Sequence, residues 1–147
     1  VIASLALLAT LAVTGCEDPE IAALDPEVVG AGEYVDGTRK LSDTGAFEVE
    51  LWSDAGDAVL GSNTFVARVT MSETDQGIPN ADVHMDAFMP MDDVGMDGEP
   101  SITYLGDGQY QFDGVELSDA GVWQFDISID VGETMRESVT FAFDIEG

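Results

Sequence analysis

The sequence is poor in basic residues, and this shortage excludes several classes of function. The 147 residues include only four Lys and Arg against 30 Asp and Glu, which gives a formal net charge of −26. A nucleic-acid-binding protein needs a basic surface to neutralise phosphates, and four scattered cations cannot supply one. The same shortage argues against electrostatic docking on anionic lipid. We therefore expect no nucleic-acid partner.

Cysteine and histidine are also scarce, which narrows the chemistry open to the chain. It has one cysteine, Cys16, and one histidine, His84. Nucleophilic catalysis usually needs a base beside the nucleophile, and the chain has no G-x-S-x-G motif. It also has no glycine-rich loop that leads from a strand to a helix and could bind phosphate. We therefore predict that the protein is not an enzyme.

The first fifteen residues, VIASLALLATLAVTG, carry no charge. The run is shorter than the about 20 apolar residues that span a bilayer, and it is typical of the apolar part of a secretory signal. The last three residues of the run and the residue after it, Val13-Thr14-Gly15-Cys16, resemble a bacterial lipobox. We predict a lipoprotein signal peptide over 1–15, lipidation at Cys16, and a lipid-anchored location in the cell envelope, on the periplasmic or outer-membrane side. The competing interpretation is an ordinary signal peptide with a chance cysteine.

The composition changes twice after the signal. Residues 16–44 are rich in acids, with prolines and glycines and no sustained periodicity, which is typical of a solvated, flexible tether. From about residue 45, apolar and polar residues alternate in about seven short runs separated by turn signals. Alternation places the apolar residues of a strand on one face, and no window shows a helical period.

This alternation predicts an all-β domain over 45–147. We expect an immunoglobulin-like antiparallel β-sandwich of about seven strands, with a small barrel as the alternative. The expected core positions are Phe47, Val49, Leu51, Phe65, Ala67, Val69, Met71, Ala81, Val83, Met85, Ala87, Met89, Tyr110, Phe112, Trp123, Phe125, Ile127, Ile129, Val139, Phe141, Phe143 and Ile145.

Short motifs of this domain occur in an order and spacing that resemble the YtkA-like family, small exported β-sandwich domains related to FixH-type proteins. The motifs lie at 61–65, 77–83, 89–91, 105–110 and 120–125. The resemblance implies a binding domain that is associated with copper handling or respiratory oxidase assembly. Relatives often carry histidine in the loop after the Met-Pro pair, where this chain has Met96.

Four of the six methionines lie between residues 85 and 96, close to the only histidine. Thioethers and imidazole suit Cu(I), so Met89, Met91, Met96 and His84 form the predicted copper site, and copper is the main candidate cofactor. Met85 and Met89 share the face that we assign to the core, where methionine fills gaps. The competing interpretation assigns these methionines to core and loop positions without metal.

Acidic side chains offer a weaker metal candidate. Asp92, Asp93, Asp97 and Glu99 share one loop with two glycines, and carboxylates suit Ca²⁺. Their spacing matches no EF-hand loop, so a solvated surface is the simpler interpretation. An acid excess with almost no lysine is also typical of salt adaptation, in which screening relieves self-repulsion of the folded chain.

The residues and the resemblance together predict an exported lipoprotein, held at the membrane by its lipid anchor. Its domain would be a non-enzymatic YtkA-like binding domain for copper handling or oxidase assembly. The alternative is a structural or protein-interaction β-sandwich of the cell envelope that binds no metal and docks another envelope protein. Three converging methionine sulfurs would favour the first function, and an exposed strand edge or apolar patch would favour the second.

Overall fold

The computed structural model describes residues 30–147. The predicted signal peptide, Cys16 and the first half of the predicted tether lie outside these residues. Within residues 30–147, no helix has the length and apolarity that crossing a membrane requires. The strands are β1 (Gly32–Glu33), β2 (Thr38–Leu41), β3 (Phe47–Ser53), β4 (Gly61–Met71), β5 (Asp82–Met89), β6 (Val94–Gly95), β7 (Ser101–Gly106), β8 (Gln109–Leu117), β9 (Gly121–Val131) and β10 (Met135–Ile145).

The strands form two five-stranded sheets. The first sheet has the order β1-β10-β9-β5-β6 and the second has the order β2-β3-β4-β8-β7. All pairings are antiparallel except that of β1 with β10, which is parallel. The predicted antiparallel β-sandwich is confirmed.

The core follows the alternation of the sequence. Every expected core position is buried except Met71 and Ala81, which are partly buried at strand ends. Phe65 of the second sheet meets Phe125 of the first edge to face, with ring centroids 5.3 Å apart. Such aromatic contacts add to the burial of apolar area that holds the two sheets together.

The predicted strand number and domain boundary need correction. We expected about seven strands, whereas ten form in the described part of the chain, because β1, β2 and β6 have at most four residues and the alternation of β7 covers only residues 101–104. The domain also begins before residue 45. Part of the predicted tether joins the sheets, since β1 pairs with β10 and β2 pairs with β3. Tyr34 packs its ring against Phe143 at 5.0 Å.

Two glycines allow close contact between a turn and a loop. A Cβ atom at Gly77 would lie 2.4 Å from the carbonyl carbon of Asp107, and one at Gly108 would lie 2.3 Å from the carbonyl oxygen of Val69. The Val69 amide donates to the Gly108 carbonyl at 2.8 Å, and the Ile78 amide donates to the Val69 carbonyl at 2.9 Å. The motifs at 77–83 and 105–110 therefore meet in the folded chain.

Polar contacts connect the two sheets on one side of the sandwich. The carboxylate of Glu137 on β10 accepts hydrogen bonds from the Thr44 hydroxyl at 2.7 Å and the Thr44 amide at 3.1 Å. The Lys40 ammonium on β2 donates to the Thr140 carbonyl on β10 at 3.0 Å. These bonds join the first sheet to the second at β10. The opposite side ends in the short β6 and the exposed β7, and it contains the candidate site.

Candidate functional site

A groove opens at the side of the sandwich where the first sheet ends. β6 pairs with β5 only at Phe88 and Met89, and the Met96 amide then donates to the Ala87 carbonyl at 2.9 Å. Earlier residues of β5 have no neighbouring strand on that side among residues 30–147. The groove beside them has a volume of about 530 Å³, and its lining includes His84, Met85, Asp86, Met96, Glu99 and Ile102.

Two residues of the predicted copper site reach this groove. Met96 lies on the β6–β7 connection, partly buried against the core, and lines the groove. His84 of β5 also lines the groove; its side chain is 62% exposed, and its Nε2 atom is 3.1 Å from Asp82 Oδ1. Both residues therefore line one groove, although they come from separate segments.

The other two predicted ligands lie outside the groove lining. Met89 is only 3% exposed and belongs to the core. Its methyl group packs against Gly121, where an added Cβ atom would lie 2.8 Å from it. Met91 is 57% exposed in the turn between β5 and β6. Met89 therefore occupies a core position, and Met91 occupies a loop position.

Met85 is the groove residue that the sequence did not identify as a candidate ligand. Its alternation with polar residues correctly placed it on the core face, where it is 4% exposed. It also lines the groove, because β6 ends before it can cover this part of β5. No feature of the sequence indicates where β6 stops, so the place of Met85 in the groove lining could not be predicted from the sequence.

Carboxylates lie on the outer face of the first sheet, and two of them, Asp86 and Asp126, also line the groove. In the β5–β9 register, Asp82 lies opposite Asp130 and Asp86 lies opposite Asp126. Like charges at directly opposite positions repel and destabilise a strand pair. Arg136 relieves one pair, because its guanidinium donates to Asp130 at 2.6 Å and holds the pKa of Asp130 below its usual value. The face as a whole attracts cations.

These carboxylates do not by themselves form a metal site. Among the described residues, no three His, Cys, Asp or Glu side chains lie close enough together to hold a metal ion. The acids of the calcium candidate, Asp92, Asp93, Asp97 and Glu99, are all exposed. The residues of the groove lining that carry soft donor atoms are Met85, Met96 and His84, and such donors suit Cu(I) rather than Ca²⁺.

The two sheets and the groove define a small β-sandwich domain with soft donor atoms at one open side. A family model described as YtkA-like matches residues 42–128, more than half of the chain. The chain belongs to the YtkA-like family, and the resemblance found in the sequence is confirmed. No curated protein matches the chain in sequence.

Two solved structures of FetP from uropathogenic Escherichia coli strain F11 share the fold. One is a copper-bound variant, and the other is the "as isolated" protein, recombinantly expressed in the periplasm of E. coli BL21(DE3). Each has a TM-score of 0.52 and 12% sequence identity to this chain, and each match covers 78% of it. The matches cover 97% and 96% of the two FetP chains, respectively. At this identity the likeness shows the fold alone.

Proposed function

We propose that this protein is an exported, lipid-anchored, non-enzymatic domain that binds copper as Cu(I) in the groove beside β5. The observation that carries the proposal is the presence of Met85, Met96 and His84 in the lining of one groove. Membership of the YtkA-like family and the copper-bound state of a FetP structure with the same fold support it.

The donor set fits the proposed ion. Cu(I) is a soft cation that binds thioether sulfur and imidazole nitrogen. Met85 and Met96 supply two thioethers next to the core, and His84 supplies the nitrogen after it turns away from Asp82. Asp86, Glu99 and Asp126 also line the groove, and their charge raises the local concentration of cations.

The open position of the groove suits a protein that passes copper on. A partner can approach the ion from solvent, because β6 leaves this part of β5 uncovered. The proposed lipid at Cys16 would hold the domain near the membrane, where a copper-requiring oxidase is assembled. The part of the predicted tether that precedes β1 would let the domain move about its anchor.

A copper titration tests the proposed function. The protein should carry Cys16→Ser, because an unlipidated thiolate would itself bind Cu(I). This protein should compete with a Cu(I) chelator. Met85→Leu or Met96→Leu should weaken copper binding at least tenfold, because each change removes one soft ligand from the ion. Methionine to leucine conserves volume, so the fold should survive each change.

Met91→Leu and Met135→Leu are the matched controls. Both methionines are exposed and lie outside the groove lining, so neither change should alter copper affinity. If Met89→Leu and Met91→Leu weaken binding as much as Met96→Leu does, the loop methionines hold the ion and the groove assignment is wrong. If the Cys16→Ser protein takes no copper from the chelator, the metal function itself is wrong.

A further inference from the structure

The second sheet ends in an exposed strand without charge. Among the described residues, β7 pairs with β8 alone and is the last strand of its sheet. Its residues are exposed except Gly106, and they include the apolar side chains of Ile102, Tyr104 and Leu105. The backbone amides and carbonyls on the outer side of β7 can therefore pair with another extended chain.

The other sheet edges carry features that hinder such pairing. β1 and β6 have two residues each, and β2 carries Arg39 and Lys40. β7 has six residues with neither charge nor proline, in a chain where 30 of 147 residues are acidic. Its bulge lies after Tyr104 and leaves the register of residues 101–104 regular. Short length and charge are the usual protections of an edge strand, and β7 lacks both.

The inner face of β7 is incompletely covered. Ile102 and Tyr104 lie opposite Phe112 and Tyr110, which are core residues, so all four side chains share the inner face of the second sheet. Phe112 is fully buried, whereas Ile102 is 39% exposed and Tyr104 is 42% exposed. A further strand beside β7 could bury the apolar surface that these two side chains leave in solvent.

The surroundings of β7 are acidic. Asp86, Glu99 and Asp126 line the groove together with Ile102, and no lysine or arginine is part of this lining. On the other face, Asp113 of β8 lies directly opposite Ser101. An approaching strand with basic side chains on the Ser101 face would therefore meet the opposite charge of Asp113, which favours its association.

We propose that β7 is the docking edge for an extended segment of a partner protein in which basic and apolar side chains alternate. The segment adds a sixth strand to the second sheet by backbone hydrogen bonds, as in other cases of strand addition. Its apolar side chains cover Ile102 and Tyr104, and its basic side chains, on the opposite face, approach Asp113. A second copy of this chain is a poorer occupant, because each copy carries a charge of −26. This interaction needs no copper and does not depend on the proposed metal site.

The test uses the full chain with a metal chelator present, so that its result is independent of copper binding. One eight-residue peptide alternates Lys and Val, and a second alternates Glu and Val. Amide hydrogen exchange should slow at residues 101–105 when the Lys–Val peptide is added. Ile102→Lys should weaken this binding at least tenfold, because it places a like charge on the docking edge. Leu60→Lys is the matched control, since Leu60 is 40% exposed, lies outside β7, and gains the same charge.

Five results would overturn the proposal. Equal binding of the Glu–Val peptide would contradict a basic partner. Equal weakening by Leu60→Lys, protection confined to residues outside β7, or no binding of the Lys–Val peptide would contradict the docking edge. Protection of β7 with concentration-dependent dimerisation in the absence of peptide would assign the edge to a second copy of the chain. Thermal unfolding of both variants shows that each tested protein is folded.

Discussion

The contact between Gly77 and Gly108 allows a quantitative test of the fold. Replacing Gly108 with alanine should lower the free energy of unfolding for two separate reasons. The residue has a φ of +75°, in the left-handed region, where a Cβ atom costs about 1–2 kcal/mol. The added Cβ would also lie 2.3 Å from the Val69 carbonyl oxygen and 2.8 Å from the Gly77 Cα, so the backbone must move.

Two other glycines separate these costs. Gly45 has a φ of +77° with nothing within 4 Å of an added Cβ, so Gly45→Ala measures the conformational cost alone. Gly77 has no left-handed φ, but a Cβ there would lie 2.4 Å from the Asp107 carbonyl carbon, so Gly77→Ala measures the steric cost alone. Overpacking in a rigid interior costs about 1–3 kcal/mol.

We expect Gly45→Ala to destabilise the protein by about 1–2 kcal/mol, Gly77→Ala by about 1–3 kcal/mol and Gly108→Ala by about 2–5 kcal/mol. For a domain of this size each kcal/mol lowers Tm by about 3–6 °C. Chemical denaturation and thermal unfolding, both followed by circular dichroism, measure these losses. If Gly108→Ala costs no more than Gly45→Ala, the turn and the loop do not touch as described.

Three further predictions concern charge and the anchor. Hydrogen bonds from Thr44 hold the pKa of the Glu137 carboxyl below its ordinary value of 4.5. The ionised Glu137 therefore stabilises the fold fully above pH 4.5, and this stabilisation is lost as pH falls through the lowered pKa. Glu137→Gln should therefore reduce stability near neutral pH and flatten its acid decline; an unchanged pH profile in chemical denaturation would contradict this role. Self-repulsion should make Tm higher in about 1 M NaCl than in dilute buffer, and equal values would count against it. In a bacterial host, the wild-type chain should incorporate a labelled fatty acid and Cys16→Ser should not; a labelled Cys16→Ser protein would place the lipid elsewhere.

The core could be predicted because burial in a two-sheet sandwich leaves a period-two pattern in the sequence. Phe125, Ile127, Phe141 and Phe143 show this pattern, and all are buried. The edges could not be predicted in the same way. β1 and β6 have too few residues to show a period, and the residues of β7 are exposed on both faces, so no burial pattern marks them.

The candidate site was accessible to sequence reasoning only in part. The density of methionine near His84 predicted a site in the segment 84–96, and two of its four predicted ligands, Met96 and His84, line one groove. The inclusion of Met85 depends on where β6 stops pairing with β5, which is a property of the whole sheet. The role of Glu137 was equally hidden, because its partner Thr44 is 93 residues away in the chain.

X-ray absorption at the copper edge tests the central claim most directly. The Cys16→Ser protein, loaded with one equivalent of Cu(I), should give a spectrum with two sulfur scatterers and one nitrogen scatterer around the ion. Replacing Met85 and Met96 together with leucine should remove the sulfur signal. A spectrum with nitrogen and oxygen scatterers alone, or an unchanged sulfur signal in the double variant, would contradict copper binding at this groove.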